Sequence, residues 1–455
     1  MKTILEYARA NQNRFLAELK EFLRIPSIST QPEHKPDVER AAAWLRDKLL
    51  AAGFPKAEVM PTRGHPVVYA EWLAAGPEAP TILVYGHYDV QPPDPLEEWN
   101  TPPFEPTIVG DDIFCRGASD DKGQLYIHVK AVETFKATAG RPPVNVKCIF
   151  EGEEESGSPS LEPFIREHRE LLAADVAVIS DADILGQDLP SIAYALRGLA
   201  YVEVEVIGPD HDLHSGIYGG AVRNPINALC AMITRLQDEN GHITVPGFYD
   251  KVRELDPEER AEMAKVPFER ETWLHEAGVK TDWGEPAYTI VERTTARPTL
   301  DVNGIWGGYI EPGAKTVLPS KAFAKISMRL VPDQEPVEIA QLIRSYLAEI
   351  APPTVTVEAR DLHGCDAAIV RRDSPAMKAA CRAYAEVFGR EPVFVREGGS
   401  IPVVAIFQKL LGIETVLIGF GLPDDRLHSP NEKFHLPNFY KGIETILCFM
   451  KFLGE

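Results

Sequence analysis

Histidine and acidic side chains gather at three places along the chain: Gly-His-Tyr-Asp at 86–89, Arg-Gly-Ala-Ser-Asp-Asp-Lys-Gly at 116–123, and Glu-Gly-Glu-Glu-Glu-Ser-Gly-Ser at 151–158. A histidine, several carboxylates and no thiolate form a donor set suited to a hard or borderline divalent metal such as zinc or manganese. Each place lies where an apolar run ends or a helix begins, and α/β proteins bind ligands outside the carboxyl ends of their strands. His87 and Asp89 stand at i and i+2, on one face of a strand. A metal-bound histidine commonly gives its second ring N–H to a carboxylate, so this spacing predicts His87 as ligand and Asp89 as its orienting partner. Gly117 and Gly123 bracket Asp120 and Asp121, which lets the backbone turn tightly there. A carboxylate held in such a turn can offer one oxygen to each of two ions, or it can cap the helix starting near Asp121. Glu153, Glu154 and Glu155 crowd together, and crowded carboxylates raise one another's pKa unless a cation sits among them. A solvated loop is the other reading of such a run. Adjacent side chains point different ways, so one of the three can ligate while its neighbour acts as a base. Asp181 and His428 follow further apolar runs, which would put all five places at carboxyl ends of strands in one domain.

The elements that must position these groups follow from periodicity. Residues 5–24 carry apolar positions at helical spacing and stop before Pro26, and 36–52 form a second amphipathic helix. Short apolar runs at 81–85, 144–150 and 176–180, with a helical segment at about 159–172, indicate an α/β layer with parallel strands. From about 198 the pattern alternates: Val202, Val204 and Val206 inward, Glu203 and Glu205 outward, as in an antiparallel sheet with one wet face. Residues 323–330 repeat it, and 335–350 carry a helical stripe. The acidic stretch 238–298 reads as an irregular insertion. After about 370 the α/β pattern returns, with a helix to 388, a buried strand at 415–418 and a closing helix from about 437. The expected architecture is an α/β catalytic domain with a mainly parallel sheet flanked by helices, made of 1–198 and 369–455. An inserted α+β lid or dimerisation domain would occupy 199–368.

The chain has 455 residues, more than a typical single core, and two domains are the natural expectation. Its net charge of −21 argues against nucleic-acid binding, which depends on Lys/Arg clusters. Six cysteines without a C-x-x-C pair fit a reducing compartment. Residues 1–7 show no apolar leader segment, and no apolar stretch reaches the ~18 residues of a membrane span. These features predict a cytoplasmic protein without a membrane partner.

The ordered motifs resemble those of the dinuclear metallopeptidases that include aminoacylase, glutamate carboxypeptidase and carnosine-type dipeptidases. The resemblance rests on residues 86–92, 116–123, 154–158, Asp-Leu-His-Ser-Gly at 212–216 and His-Ser-Pro-Asn-Glu at 428–432. Asp-Leu-His-Ser-Gly-Ile-Tyr-Gly-Gly at 212–220 and Glu-Gly-Gly-Ser-Ile-Pro at 397–402 are most similar to the carnosinase-like cytosolic branch. The resemblance implies two divalent ions, zinc first and manganese or cobalt as alternatives. His87 and Asp181 would hold one, Glu155 and His428 the other, and Asp120 would bridge, with a hydroxide between the ions as nucleophile. Asp183 remains a rival to Asp181, and Asp121 departs from branch members that carry Asn. Glu154 would be the general base. His214 would supply an oxyanion donor across a homodimer built on the inserted domain. Arg329 would hold the substrate carboxylate, with His363 and Ser400 in the substrate pocket. The implied activity is hydrolysis of dipeptides or small peptide-like amides; N-acyl-amino-acid hydrolysis and an inactive metal-binding scaffold are the alternatives.

Overall fold

A computed structural model describes residues 1–455. The chain divides into two compact units, residues 1–194, 370–395 and 406–455 forming the first, and 195–369 with 396–405 the second.

The first unit is built on a six-stranded sheet in the order Lys56–Met60, Val67–Trp72, Asn145–Glu151, Thr81–His87, Val176–Ile179, Glu414–Leu417. The last four strands in that order run parallel, and the first two are antiparallel additions at one edge. Asn145–Glu151 is buried at every residue, which is why it is mostly apolar rather than alternating; the one lysine inside it, Lys147, donates to the Leu171 and Ala173 carbonyls (2.7 Å each). The chain leaves Thr81–His87, forms its next parallel strand on one side and the following one on the other. That reversal opens a crevice at the carboxyl end of Thr81–His87, the usual ligand position in open α/β sheets. Helix Lys122–Ala139 packs on this strand and is almost wholly buried. It ends at Gly140 in the left-handed region (φ 78°), the common glycine stop.

A small antiparallel sheet of Thr107–Val109, Asp112–Phe114 and Lys433–His435 lies beside it in the chain's course. Lys433 pairs with Phe114. The loop leaving Phe114 and the loop arriving at Lys433 therefore start side by side, and they carry Asp120 and His428.

In the second unit, strands Thr299–Gly307, Lys321–Leu330, Gly198–Ile207 and Thr356–Cys365 form an antiparallel sheet in that order. Alternate residues of Gly198–Ile207 and Lys321–Leu330 are buried. They meet helices Pro225–Ile233 and Pro336–Ile350 in a core of aliphatic side chains.

Three local expectations need correction. The helix expected over 5–24 is two, Lys2–Ala10 and Gln12–Leu23, separated at Asn11, whose side chain donates to the Tyr7 carbonyl (2.9 Å) and competes with helix continuation. The segment 238–298 contains helices Pro257–Met263, Arg270–Glu276 and Ile290–Thr295. Each is too short for a clear 3.6-residue pattern, though Asp256 and Thr289 cap two of them. The helix expected at 159–172 spans only Leu161–Glu167.

Candidate metal centre

His87 is the last residue of its strand and pairs in register with Glu151, the last residue of the neighbouring one. Asp181 lies two residues beyond Ile179, the end of the strand on the other side. Adjacent parallel strands thus deliver His87 and Asp181 to one edge, with His87 Nε2 3.7 Å from an Asp181 oxygen. Asp183 joins neither ligand group; it bridges to Gly421 through the backbone.

Asp120 does not lie at a strand end, contrary to the expectation for all five places. It immediately precedes helix Lys122–Ala139, and the Asp120–Asp121 peptide is cis. Asp121 is the helix N-cap residue but makes no side-chain cap hydrogen bond. Its Oδ2 accepts the His87 backbone N–H (3.1 Å). Gly86 is required beside it, because a Cβ there would lie 2.6 Å from that oxygen.

The Asp120 carboxylate faces both histidines, with Oδ1 3.0 Å from His87 Nε2 and Oδ2 3.0 Å from His428 Nε2. His428 Nε2 is also 3.2 Å from Glu155 Oε2. Two groups of potential ligand atoms result, His87–Asp120–Asp181 and Asp120–Glu155–His428, each with its atoms within 4.8 Å of one another.

Electrostatics and unmet bonding capacity both fit a cation here. His87 Nε2 is sealed from solvent and makes no hydrogen bond of sound geometry despite its close carboxylates. Burial, reinforced by the Asp120 charge, pushes Asp181 up to about 7. Burial, then Asp120, also raises Glu155, although His428 opposes it. Burial raises Glu154 well above the carboxylate range; the Asp181, Glu155 and Asp120 charges add to this, and His87 opposes it. His428, hydrogen-bonded to Asp120 and then Glu155, is raised to about 10. Burial works against a charged His87, but Asp120, Asp89 and Asp181 outweigh it and raise its pKa. The acids thus favour positive charge at this place, which a divalent ion can supply.

The loops are held by groups that the sequence did not single out for this task. Asp89 lies beyond the end of its strand rather than on a shared face with His87. His87 Nδ1 is 3.2 Å from the Asp89 carbonyl and 3.4 Å from its carboxylate. That carboxylate accepts the backbone N–H groups of Glu154 (3.2 Å) and Glu155 (3.1 Å). One buried acid thus orients the histidine and aims both glutamates. Gln91 donates to Glu155 Oε2 (2.7 Å). Glu153 accepts the N–H groups of His65 (2.8 Å) and Ser160 (3.2 Å), so it anchors the turn. Glu432 is buried completely and accepts four hydrogen bonds from the Asp120 loop, from Arg116 Nη1 (2.8 Å) and the backbone N–H of Gly117 (2.9 Å), Ser119 (3.0 Å) and Asp120 (3.2 Å). Asp425 accepts Ser119 Oγ (2.8 Å). Arg426, His428 and Asn431 all adopt positive φ, 57°, 59° and 65°. Such conformations persist for non-glycine residues only when surrounding contacts impose them.

The remaining site candidates belong to the second unit. Arg329 Nη1 donates to Ser400 Oγ (3.2 Å). His363 meets Tyr201 edge to face at 5.1 Å. His214 is exposed at the end of the short strand Leu213–His214, and its Nδ1 accepts the Gly216 N–H (3.0 Å). A ring nitrogen that accepts carries no proton, so the neutral tautomer has its donor at Nε2.

The family model described as Peptidase family M20/M25/M40 matches residues 83–451. The chain belongs to this family. Its relatives include human Beta-Ala-His dipeptidase, 33% identical over 99% of this chain and 92% of that protein. Cys-Gly metallodipeptidase dug1 of Schizosaccharomyces pombe is also 33% identical, over 99% of this chain and 98% of that one. Among solved structures, an M20 family metallo-carboxypeptidase from Sulfolobus solfataricus is 35% identical with a TM-score of 0.85, covering 97% of this chain and 99% of that one. The similarity spans both units, so the M20 architecture of a catalytic α/β unit with an inserted α+β unit is that of this chain.

Proposed function

We infer that this chain is a metal-dependent dipeptidase, with the two ligand groups that share Asp120 as its centre. The observation that carries this reading is the convergence of four residues, His87, Asp181, Glu155 and His428, on the one Asp120 carboxylate, with the half-buried acid Glu154 next to Glu155 in the chain. His87 and Asp181 would hold one divalent ion, Glu155 and His428 the second, and Asp120 both; zinc suits this N/O set, as do manganese and cobalt. The chemistry that bound ions supply is polarisation of the scissile carbonyl and acidification of the attacking water toward neutral pH.

The chain's own groups do the rest. Glu154 takes a proton from the attacking water and returns it to the departing amine, a transfer suited to a carboxylate adjacent in the chain to the ligand Glu155. Asp89 fixes the direction of Glu154 through the backbone bond described above. His214 offers Nε2–H to the developing oxyanion. Arg329, with Ser400 beside it and His363 in the pocket, holds the substrate carboxylate, since a guanidinium fork matches that group.

The names of the relatives, Cys-Gly and Beta-Ala-His dipeptidases, support dipeptides over acyl-amino acids as substrates. We also propose a homodimer through the second unit. Its edge strand Thr299–Gly307 exposes Val302, Ile305 (50%) and Trp306, and an open apolar edge is a pairing surface. Light scattering on Ile305→Lys should show loss of dimer and activity together; an active monomer removes the proposal that His214 acts across a dimer. No helix is long and apolar enough to cross a membrane, and all six cysteines are unpaired, which supports a cytoplasmic location.

Glu154→Gln tests the core of the reading. With Cys-Gly and β-Ala-His against an N-acetyl-amino-acid panel, the wild type should cleave a dipeptide. The variant should keep its metal content and lose at least ~10² in kcat. Turnover of acyl-amino acids alone would favour the aminoacylase alternative, and full activity of the variant would remove Glu154 from proton transfer.

A further inference from the structure

Arg197 stands directly before strand Gly198–Ile207 in the second unit, and nothing above gives it a task. On that strand Leu199 pairs with Arg329 on one side and Cys365 on the other, and Tyr201 pairs with His363. Period-two alternation places Arg329, Leu199, Cys365, Tyr201 and His363 on the sheet face opposite the packed helices. Arg197 ties the segment 398–400 to the edge of this face by three hydrogen bonds. Its backbone N–H donates to the Gly399 carbonyl (3.1 Å), its Nε to the Gly398 carbonyl (2.8 Å), and its own carbonyl accepts Ser400 Oγ (2.5 Å). Ser400 Oγ is the atom that receives Arg329 Nη1.

The fit requires glycine at 398, where a Cβ would lie 2.9 Å from the Thr294 carbonyl oxygen and 3.3 Å from Arg197 Nη2. Neither Arg197 nor Arg329 forms an ion pair, and Arg197 Nη1 is buried without a hydrogen-bond partner. Burial, then the Arg329 charge, lowers Arg197 to about 10. Arg329 disfavours the Arg197 charge more than Asp301 favours it. Proteins do not leave such charge uncompensated without cost, and an anion that arrives with the substrate relieves it.

We propose that Arg197 is a positioning residue for recognition of the substrate's free carboxylate. It holds Ser400 against Arg329, and its unpaired charge makes the pocket selective for a terminal carboxylate over a terminal amide. This deepens the dipeptidase reading and rests on Arg329 as the carboxylate anchor.

The test measures binding in metal-loaded Glu154→Gln protein, expected to turn substrate over at least ~10²-fold more slowly, by calorimetry with a dipeptide and its C-terminal amide. The parent should prefer the free carboxylate. Adding Arg197→Met should weaken the free dipeptide by ~10–100-fold and the amide by less than ~3-fold, on the scale of hydrogen bonds to charged groups. Arg197→Lys, which keeps charge but not the planar contact, should fall between and serves if the methionine variant does not fold. A merely structural role would weaken both ligands alike or leave both unchanged, and either result overturns the proposal. A parent that binds neither ligand removes the dipeptidase reading, and the proposal with it; a parent and variant that discriminate equally sink the proposal alone.

Discussion

Glu432→Gln is the perturbation whose consequences can be followed furthest. Each Glu432 oxygen receives two donors: Oε2 takes Arg116 and the Gly117 N–H, and Oε1 takes the Ser119 and Asp120 N–H groups. Glutamine keeps the shape but one acceptor oxygen. Whichever way its amide settles, two buried donors face an NH2 group and the Arg116 charge loses its counterion. Two unsatisfied donors at ~1–3 kcal/mol each, or one broken buried pair at ~3–5 kcal/mol, give the same scale. Part of that loss falls on the loop that carries Asp120, the residue common to both ligand groups. Outer residues of this kind typically change metal affinity by ~10–100-fold, or about 1.4–2.8 kcal/mol. Metal titration by calorimetry should show that weakening, and activity lost at limiting metal should return in excess metal. Arg116→Met in the Glu432→Gln background should cost little more, since the pair is already broken. Wild-type metal affinity in a Glu432→Gln protein that still folds would refute the reasoning, because the clamp would then hold the loop without setting Asp120.

Two further outcomes are expected. Asp89→Asn removes an acceptor from the Glu154 and Glu155 N–H groups; steady-state kinetics should show kcat reduced ~10-fold or more with a smaller change in KM, and an unchanged kcat would mean the turn holds itself. Glu18 meets Lys130, Tyr126 and Arg14; burial opposes its charge, but these partners lower its pKa from 4.5 to about 2. A depressed acid stabilises the fold above its unfolded pKa, and that contribution disappears as pH falls from 4.5 through 2. It is worth at most about 3 kcal/mol. The difference in melting temperature between wild type and Glu18→Gln should therefore narrow from pH 5 to pH 2, and a gap independent of pH would contradict the assignment.

What the sequence alone could determine was set by local pattern. Largely apolar runs ending in His87, Glu151 and Ser180 announce strands and their polar ends, because burial on both faces leaves few polar residues inside the run. Alternation at 200–207 and 323–330 marks a half-wet sheet for the same reason. The donor chemistry of His87, Asp120, Glu155, Asp181 and His428 is likewise legible residue by residue. Their grouping is not. Asp181 and Asp183 have the same type and the same parity, and only the parallel pairing of neighbouring strands puts the Asp181 carboxylate beside His87. Asp120 was legible as an acid in a tight turn before a helix, but not that it meets His428 across 308 positions of sequence. Asp89 was legible as a partner of His87 but not as the acceptor that aims Glu154 and Glu155. The roles of Glu153, Glu432 and Arg197 likewise rest on contacts between segments far apart in the chain, and such contacts leave no periodic trace. Composition and spacing encode what each short segment prefers; folding decides which segments share the space where charges compete, and that competition assigns each acid its place.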